Sequence, residues 1–177
     1  MGSKLGVLSE GPARLGYPFH KLFTDVKRID NLQHLKDVDA VVLWGGTDIS
    51  PFLYGEKPNN FNEAGELPSK RDSFEWSVLD YCNKNLIPII GVCRGAQLMC
   101  VYDGGKLAQD VGGHGRGHYV VDIEGKKSFY AAASHHQMML PKPNTVLIAT
   151  AEKRLADFYI GENNTINQFD ATFREPE

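Results

Sequence analysis

Apolar and polar positions divide the chain into short buried runs separated by polar breaks. Residues 4–9 form a first apolar run, ended by Glu10-Gly11-Pro12. Residues 39–44, Asp-Ala-Val-Val-Leu-Trp, form a clearer one, stopped by Gly45-Gly46. Short, mainly apolar runs of this length, stopped by glycine and proline, predict strands, and 39–44 reads as a buried one. Residues 25–29 give a weaker strand, and 31–36 a short helix. A helix is expected over 15–23, starting late because of Pro18. In 71–83 the apolar Phe74, Val78, Leu79 and Cys82 recur at helical spacing with charges between them. Residues 87–91 are a third apolar strand, followed by an unbroken helical segment to about Tyr102. Strands alternating with helices over the first hundred residues predict an α/β fold, with a mainly parallel sheet covered on both faces.

Beyond Gly104-Gly105 the pattern changes. Residues 118–123 alternate as a strand, 124–127 read as a hairpin turn, and 128–133 as its return strand. Residues 140–143 read as a proline-containing turn, 146–151 and 155–160 as strands, and 163–170 as polar and turn-like. This half predicts extra antiparallel strands. The 47–69 stretch, rich in Gly, Pro and Asn, is a long loop of the kind that carries function. With 177 residues and no internal repeat, one domain over 1–177 is expected.

The candidate chemistry sits where the third strand meets its helix. Gly91-Val92-Cys93-Arg94-Gly95 is a G-x-C-x-G turn, the thiol counterpart of the G-x-S-x-G nucleophile elbow. Two close-packed elements leave no room for a Cβ at the glycines. A thiol at a helix N-terminus faces the positive end of the dipole, and Arg94 is expected to add a nearby positive charge. The other reading of the same residues is a structural cysteine buried at a strand end.

Composition narrows the classes. A net charge of −3 gives no reason to expect nucleic-acid or membrane binding, and no apolar run is long enough to span a bilayer. The N-terminal residues do not form a signal peptide. Three cysteines, Cys82, Cys93 and Cys100, fit a reducing, cytoplasmic location rather than a disulfide scaffold. His114 and His118 have the four-residue spacing of a metal pair, but that spacing serves a helix. Their glycine-rich surroundings predict a turn, so no metal site is expected.

Several blocks in order carry a resemblance: Gly45-Gly46-Thr47-Asp48, Arg71-Asp72-x-x-Glu75, Pro88-Ile89-Ile90-Gly91-Val92-Cys93-Arg94-Gly95-x-Gln97, Gly104-Gly105-x-Leu107-x-Gln109-Asp110 and Ser134-x-His136-Gln137. Over about 39–137 the chain resembles the class I glutamine amidotransferase-like superfamily. The nearest branch is that of γ-glutamyl-γ-aminobutyrate hydrolases and related γ-glutamyl hydrolases. The resemblance implies a flavodoxin-like three-layer sandwich, and the sequence gives no evidence of a cofactor. It implies that Cys93 attacks a γ-glutamyl amide to form a thioester, with backbone N–H groups of Gly46 and Arg94 as the oxyanion hole. Gln97, His135, His136 and Gln137 would hold the glutamyl part. It also implies that Arg71, Asp72 and Glu75 anchor a loop, although Asp72 alone reads as a helix cap.

These enzymes take their base from a Gln-x-His-Pro-Glu type motif, and none occurs in the 177 residues. Glu175 or Glu177 resembles the glutamate that begins the strand leading towards that motif. Three explanations stand: the motif lies beyond Glu177, the protein is catalytically disabled, or another histidine has taken over. The expected function is hydrolysis of γ-glutamyl amides or glutamine. The alternatives are a glutaminase subunit delivering ammonia to a synthetase, and an inactive binding protein. The partners expected are a small γ-glutamyl substrate and a second copy or a synthetase.

Overall fold

The computed structural model describes residues 2–8 and 16–177. Strands β1 (Lys4–Leu8), β2 (Asp25–Arg28), β3 (Ala40–Leu43) and β4 (Ile89–Gly91) form one parallel sheet in the order β2-β1-β3-β4. The register pairs Leu5 with Ala40 and Val42 with Ile90. The end of the first run at Ser9, its Glu10-Gly11-Pro12 break and the Leu15 start of the first helix lie outside the described residues.

Alternation along the central strands assigns their two faces. Val41 and Leu43 join Leu8 in one core cluster with Val78, Leu79 and Cys82 of α1 (Lys70–Asn85) and Leu98 and Val101 of α2 (Arg94–Tyr102). Ala40 and Val42 face the opposite way, into Leu5 and Val7, with Phe19, Phe23 and Trp44 against them. Full burial of such side chains stabilises by about 1.5–3 kcal/mol each. The cover on the second face at 19–22 is a 3₁₀ turn rather than the α-helix expected, and 32–37 is likewise 3₁₀. Four and six residues close i→i+3 turns more readily than they nucleate an α-helix. A 3₁₀ turn at Pro51–Tyr54 also lies inside the long loop.

The second half supplies small antiparallel sheets. Strands β5 (Lys106–Ala108), β6 (Asp110–Val111), β7 (His118–Asp122), β8 (Ser128–Ala131), β9 (Met138–Leu140), β10 (Ala149–Ala151), β11 (Phe158–Ile160) and β12 (Ile166–Gln168) pair as β5-β9, β10-β7-β8 and β12-β11-β6. The hairpin β7–β8 is as the pattern predicts. Strand β12 falls in the segment read as turn-like, because its exposed residues carry no alternating apolar signal. Among the described residues, no helix is long and apolar enough to cross a membrane.

A buried ionic network fixes α1 and α2 to each other. Arg94, Asp72 and Glu75 are 1%, 1% and 2% exposed. The Arg94 guanidinium donates to Glu75 through Nη1 and to Asp72 through Nη2. Asp72 also closes a capping box, accepting from the backbone N of Ser69 at 2.8 Å while Ser69 Oγ accepts from Asp72 N at 3.0 Å. Arg71 extends the network: its Nε donates to Glu75 at 2.8 Å, and its Nη2 donates to the carbonyls of Trp44 and Gly45 at 3.0 and 3.1 Å.

Removing the central cation while leaving two buried carboxylates is costly, about 3–5 kcal/mol. Arg94→Met should therefore lower the midpoint of thermal unfolding by on the order of 10 °C, measured by calorimetry, whereas an unchanged midpoint would refute the network's role. An added Cβ at Gly95 would stand 2.3 Å from the Leu43 carbonyl oxygen. Backbone cannot yield cheaply there, so Gly95→Ala should destabilise by about 1–3 kcal/mol in urea unfolding.

Candidate active site

The turn between β4 and α2 is tight enough to dictate its residues. An added Cβ at Gly91 would lie 2.6 Å from the Ala96 nitrogen. Cys93 itself sits at φ 53°, ψ −118°, a conformation that costs a non-glycine residue roughly 1–3 kcal/mol. The surroundings hold it there, and the strain projects the side chain outward. The thiol is exposed, which excludes the buried structural cysteine. Cys82 and Cys100 differ: burial pushes each of their thiols up to about 11.

The glycine loop after β3 lies directly against this turn. A Cβ built on Gly45 would approach Cys93 Cβ to 3.2 Å and Sγ to 3.5 Å. Gly46, at φ 143°, has no room for a side chain either, because Arg71 Nη1 would be 2.4 Å away. The hydrogen bonds from Arg71 to the Trp44 and Gly45 carbonyls hold the loop in this position. Arg94 heads α2 with its backbone beside the thiol, but its guanidinium points into the core. The expectation that this charge favours the thiolate is therefore corrected. Asp72 and Glu75 already compensate it, and what remains at the thiol is the backbone end of the helix.

Cys93 lines a cleft of about 420 Å³ together with Gln97, Ser134, His135, Gln137 and Glu177. Gln97 is buried and donates through Nε2 to the Gln137 carbonyl at 3.1 Å, so it ties α2 to the 134–137 segment. Gln137 is 2% exposed, and neither its Oε1 nor its Nε2 has a partner. His135 donates through Nδ1 to the Gln137 carbonyl at 3.0 Å. His136 turns elsewhere. It stands between Asp110 and Asp48, each 3.2 Å from one ring nitrogen, and is not among the residues lining this cleft. Asp48 also accepts from the Glu63 backbone at 2.9 Å, which makes it an organiser of the long loop.

One group escapes the sequence patterns. His114 is fully buried beside His118 and His135, at ring-centroid distances of 5.3 and 4.8 Å. All three gather around Glu177. Burial would raise the Glu177 carboxyl, but contacts with His114 and His135 and the fields of His118 and His135 outweigh it and hold it at about 2. Burial pulls His135 down, yet its contacts with Glu177 and the Gln137 carbonyl leave it raised above the ordinary value. The sequence signal was present in the two histidines of the glycine-rich turn. The helix-based spacing argument discounted it, although a loop running into a strand brings the same side chains together.

Comparison with known proteins bears on the family and the fold. A glutamine amidotransferase-like protein of Lactococcus lactis is 44% identical over 87 residues, covering 47% of this chain and 36% of that protein. A γ-glutamyl-CDP-amidate hydrolase of Campylobacter jejuni is 26% identical over 135 residues, covering 75% of this chain and 55% of that one. The matches thus span about half or less of these relatives' lengths. In fold, the crystal structure of a glutamine amidotransferase from Thermotoga maritima matches with a TM-score of 0.60 at 14% identity, covering 94% of this chain and 74% of the other. The structure of PurLQS from the same organism matches with 0.58 at 12% identity, covering 100% and 88%. Residues 20–168, most of the chain, match the family model described as Peptidase C26. The chain belongs to the Peptidase C26 family, and its fold is that of the class I glutamine amidotransferases.

Proposed function

We propose that Cys93 is the nucleophile of a hydrolase acting on γ-glutamyl amides. The observation that carries this reading is an exposed thiol, held at a strained elbow, against a glycine loop and at the side of a cleft. Attack of sulfur on the γ-carbonyl would create an oxyanion, which we assign to the backbone N–H groups of Gly46 and Arg94, since fixed backbone donors suit developing negative charge. Collapse would break the C–N bond, with the thiol proton leaving on the amine, and form a γ-glutamyl thioester. Water would then release the acid and restore the thiol. The γ-glutamyl-CDP-amidate hydrolase among the relatives supports this bond type. A glutaminase handing ammonia to a synthetase would use the same acylation step, and the PurLQS likeness is what favours that second reading.

Gln137 has a distinct part in this proposal. A buried amide whose donor and acceptor both lack partners within the protein is suited to a polar ligand. We assign it the glutamyl moiety.

Treatment with a γ-glutamyl chloromethyl ketone near neutral pH should modify Cys93 alone, and a slow γ-glutamyl amide should protect it. Peptide mapping that places the adduct on Cys82 or Cys100, or modification unaffected by the amide, would overturn the assignment. Cys93→Ser should abolish γ-glutamyl amide turnover, by on the order of 10³-fold or more. Gln137→Leu should raise KM about tenfold or more, while the rate of alkylation of Cys93 by iodoacetamide stays unchanged. Equal loss of both would assign Gln137 to the scaffold instead.

A further inference from the structure

The histidine and carboxylate group on the far wall of the cleft has the organisation of a metal site. Ligand atoms of His114, His135 and Glu177 all lie within 4.8 Å of one another. His114 Nδ1 is 3.4 Å from one Glu177 oxygen, and His135 Nε2 is 3.9 Å from the other. Three donors at 2.0–2.2 Å from one ion stand about 3.4 Å apart, so side-chain rotations on the order of an ångström close the set. His114 is 0% exposed, and neither of its ring nitrogens makes a hydrogen bond. A buried imidazole left in that state is costly unless something else takes its lone pair.

The outer contacts fit the same assignment. Metal-binding histidines characteristically commit their second nitrogen to a carbonyl or carboxylate, which fixes the tautomer. His135 does this: its Nδ1 faces the Gln137 carbonyl, an acceptor only, so Nδ1 carries the proton and Nε2 keeps its lone pair towards Glu177. His114 turns Nε2 towards Glu175, whose nearest carboxylate oxygen is 3.7 Å away. Glu175 is itself buried and fixed by the backbone N–H groups of Leu155 and Ala156, each at 2.9 Å. His118 donates from Nε2 to Glu177 at 2.9 Å and so orients the third donor. His135 and Glu177 thus each have a hydrogen-bonded partner behind them, and His114 has a carboxylate near its second nitrogen.

We propose that His114 Nδ1, His135 Nε2 and the Glu177 carboxylate bind one divalent transition-metal ion of the zinc class. His118 and Glu175 act as positioning residues. Two imidazoles and one carboxylate suit borderline ions such as Zn²⁺ or Co²⁺ and do not suit Mg²⁺ or Ca²⁺, which take oxygen donors. Three protein ligands leave a coordination position open, and His135 and Glu177 both line the cleft that holds Cys93. The site stands independently of the proposed hydrolase reaction, because none of its ligands is the thiol.

The test uses the untagged Cys93→Ser chain, which removes the exposed thiol as a competing ligand. Zn²⁺ is titrated against a chromophoric chelator, and Co²⁺ is followed by visible absorption. The expected result is one equivalent of Zn²⁺, a Co²⁺ spectrum of four- or five-coordinate N/O type, and no competition by millimolar Mg²⁺. His114→Ala and Glu177→Gln should each weaken Zn²⁺ binding about 100-fold, and Glu175→Gln about tenfold. His34→Ala, at a separate, half-buried site, should change nothing. Glu177→Gln removes a partly exposed carboxylate and keeps the test open if His114→Ala fails to fold. Zn²⁺ binding absent from the parent, or unchanged in Glu177→Gln, overturns the proposal, as does equal loss in His34→Ala, which would mark adventitious surface binding. Since the readout is metal occupancy of a chain without Cys93, the result does not depend on whether Cys93 is a nucleophile.

Discussion

The burial of the Arg94 guanidinium is the constraint on which the arrangement around the thiol depends. A cation this deep is tolerable only with its charge neutralised, and Nη1 and Nη2 each meet a carboxylate. Both partners, Asp72 and Glu75, come from the first two turns of α1. The pairing therefore fixes how the start of α1 sits against the start of α2. Arg71, on the same turn of α1, shares Glu75 and reaches back to the Trp44 and Gly45 carbonyls. One connected set of charges thereby locates the elbow, the glycine loop and the helix that spans behind them. Hydrophobic contact could hold these elements together, but it is not directional enough to set the loop against the sulfur. The network's contribution is geometric more than energetic, since desolvation offsets much of its Coulombic gain.

That placement permits the strained backbone at Cys93. A residue at φ 53°, ψ −118° would relax if its neighbours could move. They cannot: Gly91 packs against the Ala96 backbone, Gly95 against Leu43, and Gly45 against the cysteine itself. At Gly91 and Gly95 the contact requires a missing Cβ, and at Gly45 a Cβ would press on the cysteine side chain. The glycines flanking the thiol and the buried arginine beside it are therefore one device. The glycines make the turn possible, and the ion network prevents its relaxation.

This explains which features were legible in the sequence. The elbow could be read because steric demands admit few residue types, and the demand appears as Gly-x-Cys-x-Gly at fixed spacing. Core strands β3 and β4 could be read because both faces are buried, which forces continuous apolar runs. Asp72 was legible as a cap, and it is one, but its second partner lies 22 residues on and leaves no local mark. Arg94 was misread for the same reason, since nothing nearby in sequence shows that its charge faces inward. Strand β9 was not visible as a strand. It is three residues long, and the pairing of Met139 with Leu107 that makes it a strand joins positions far apart in the chain. Resemblance supplied the site residues but grouped His135 and His136 together. The chain bends at His136, and here one side chain faces the cleft while the other faces Asp48 and Asp110.

Two clusters of charge flank the thiol, and their different degrees of satisfaction separate their roles. Around Arg94 the carboxylates are met by guanidinium groups, a backbone N–H and a capping serine, and of the Arg94 guanidinium nitrogens only Nε lacks a partner. Polar networks closed in this way rigidify a fold and have little capacity to bind anything further. Around Glu177 the histidines are close but incompletely bonded, with unpartnered nitrogens on His114 and His118, and the cluster opens on the cleft. An arrangement needed only for rigidity would gain by closing those bonds, because each buried unpartnered nitrogen is destabilising. Unspent hydrogen-bonding and ligand capacity beside an open cleft is what a binding site requires. The closed cluster therefore lies towards α1, and the open one lies where His135 and Gln137 meet Glu177.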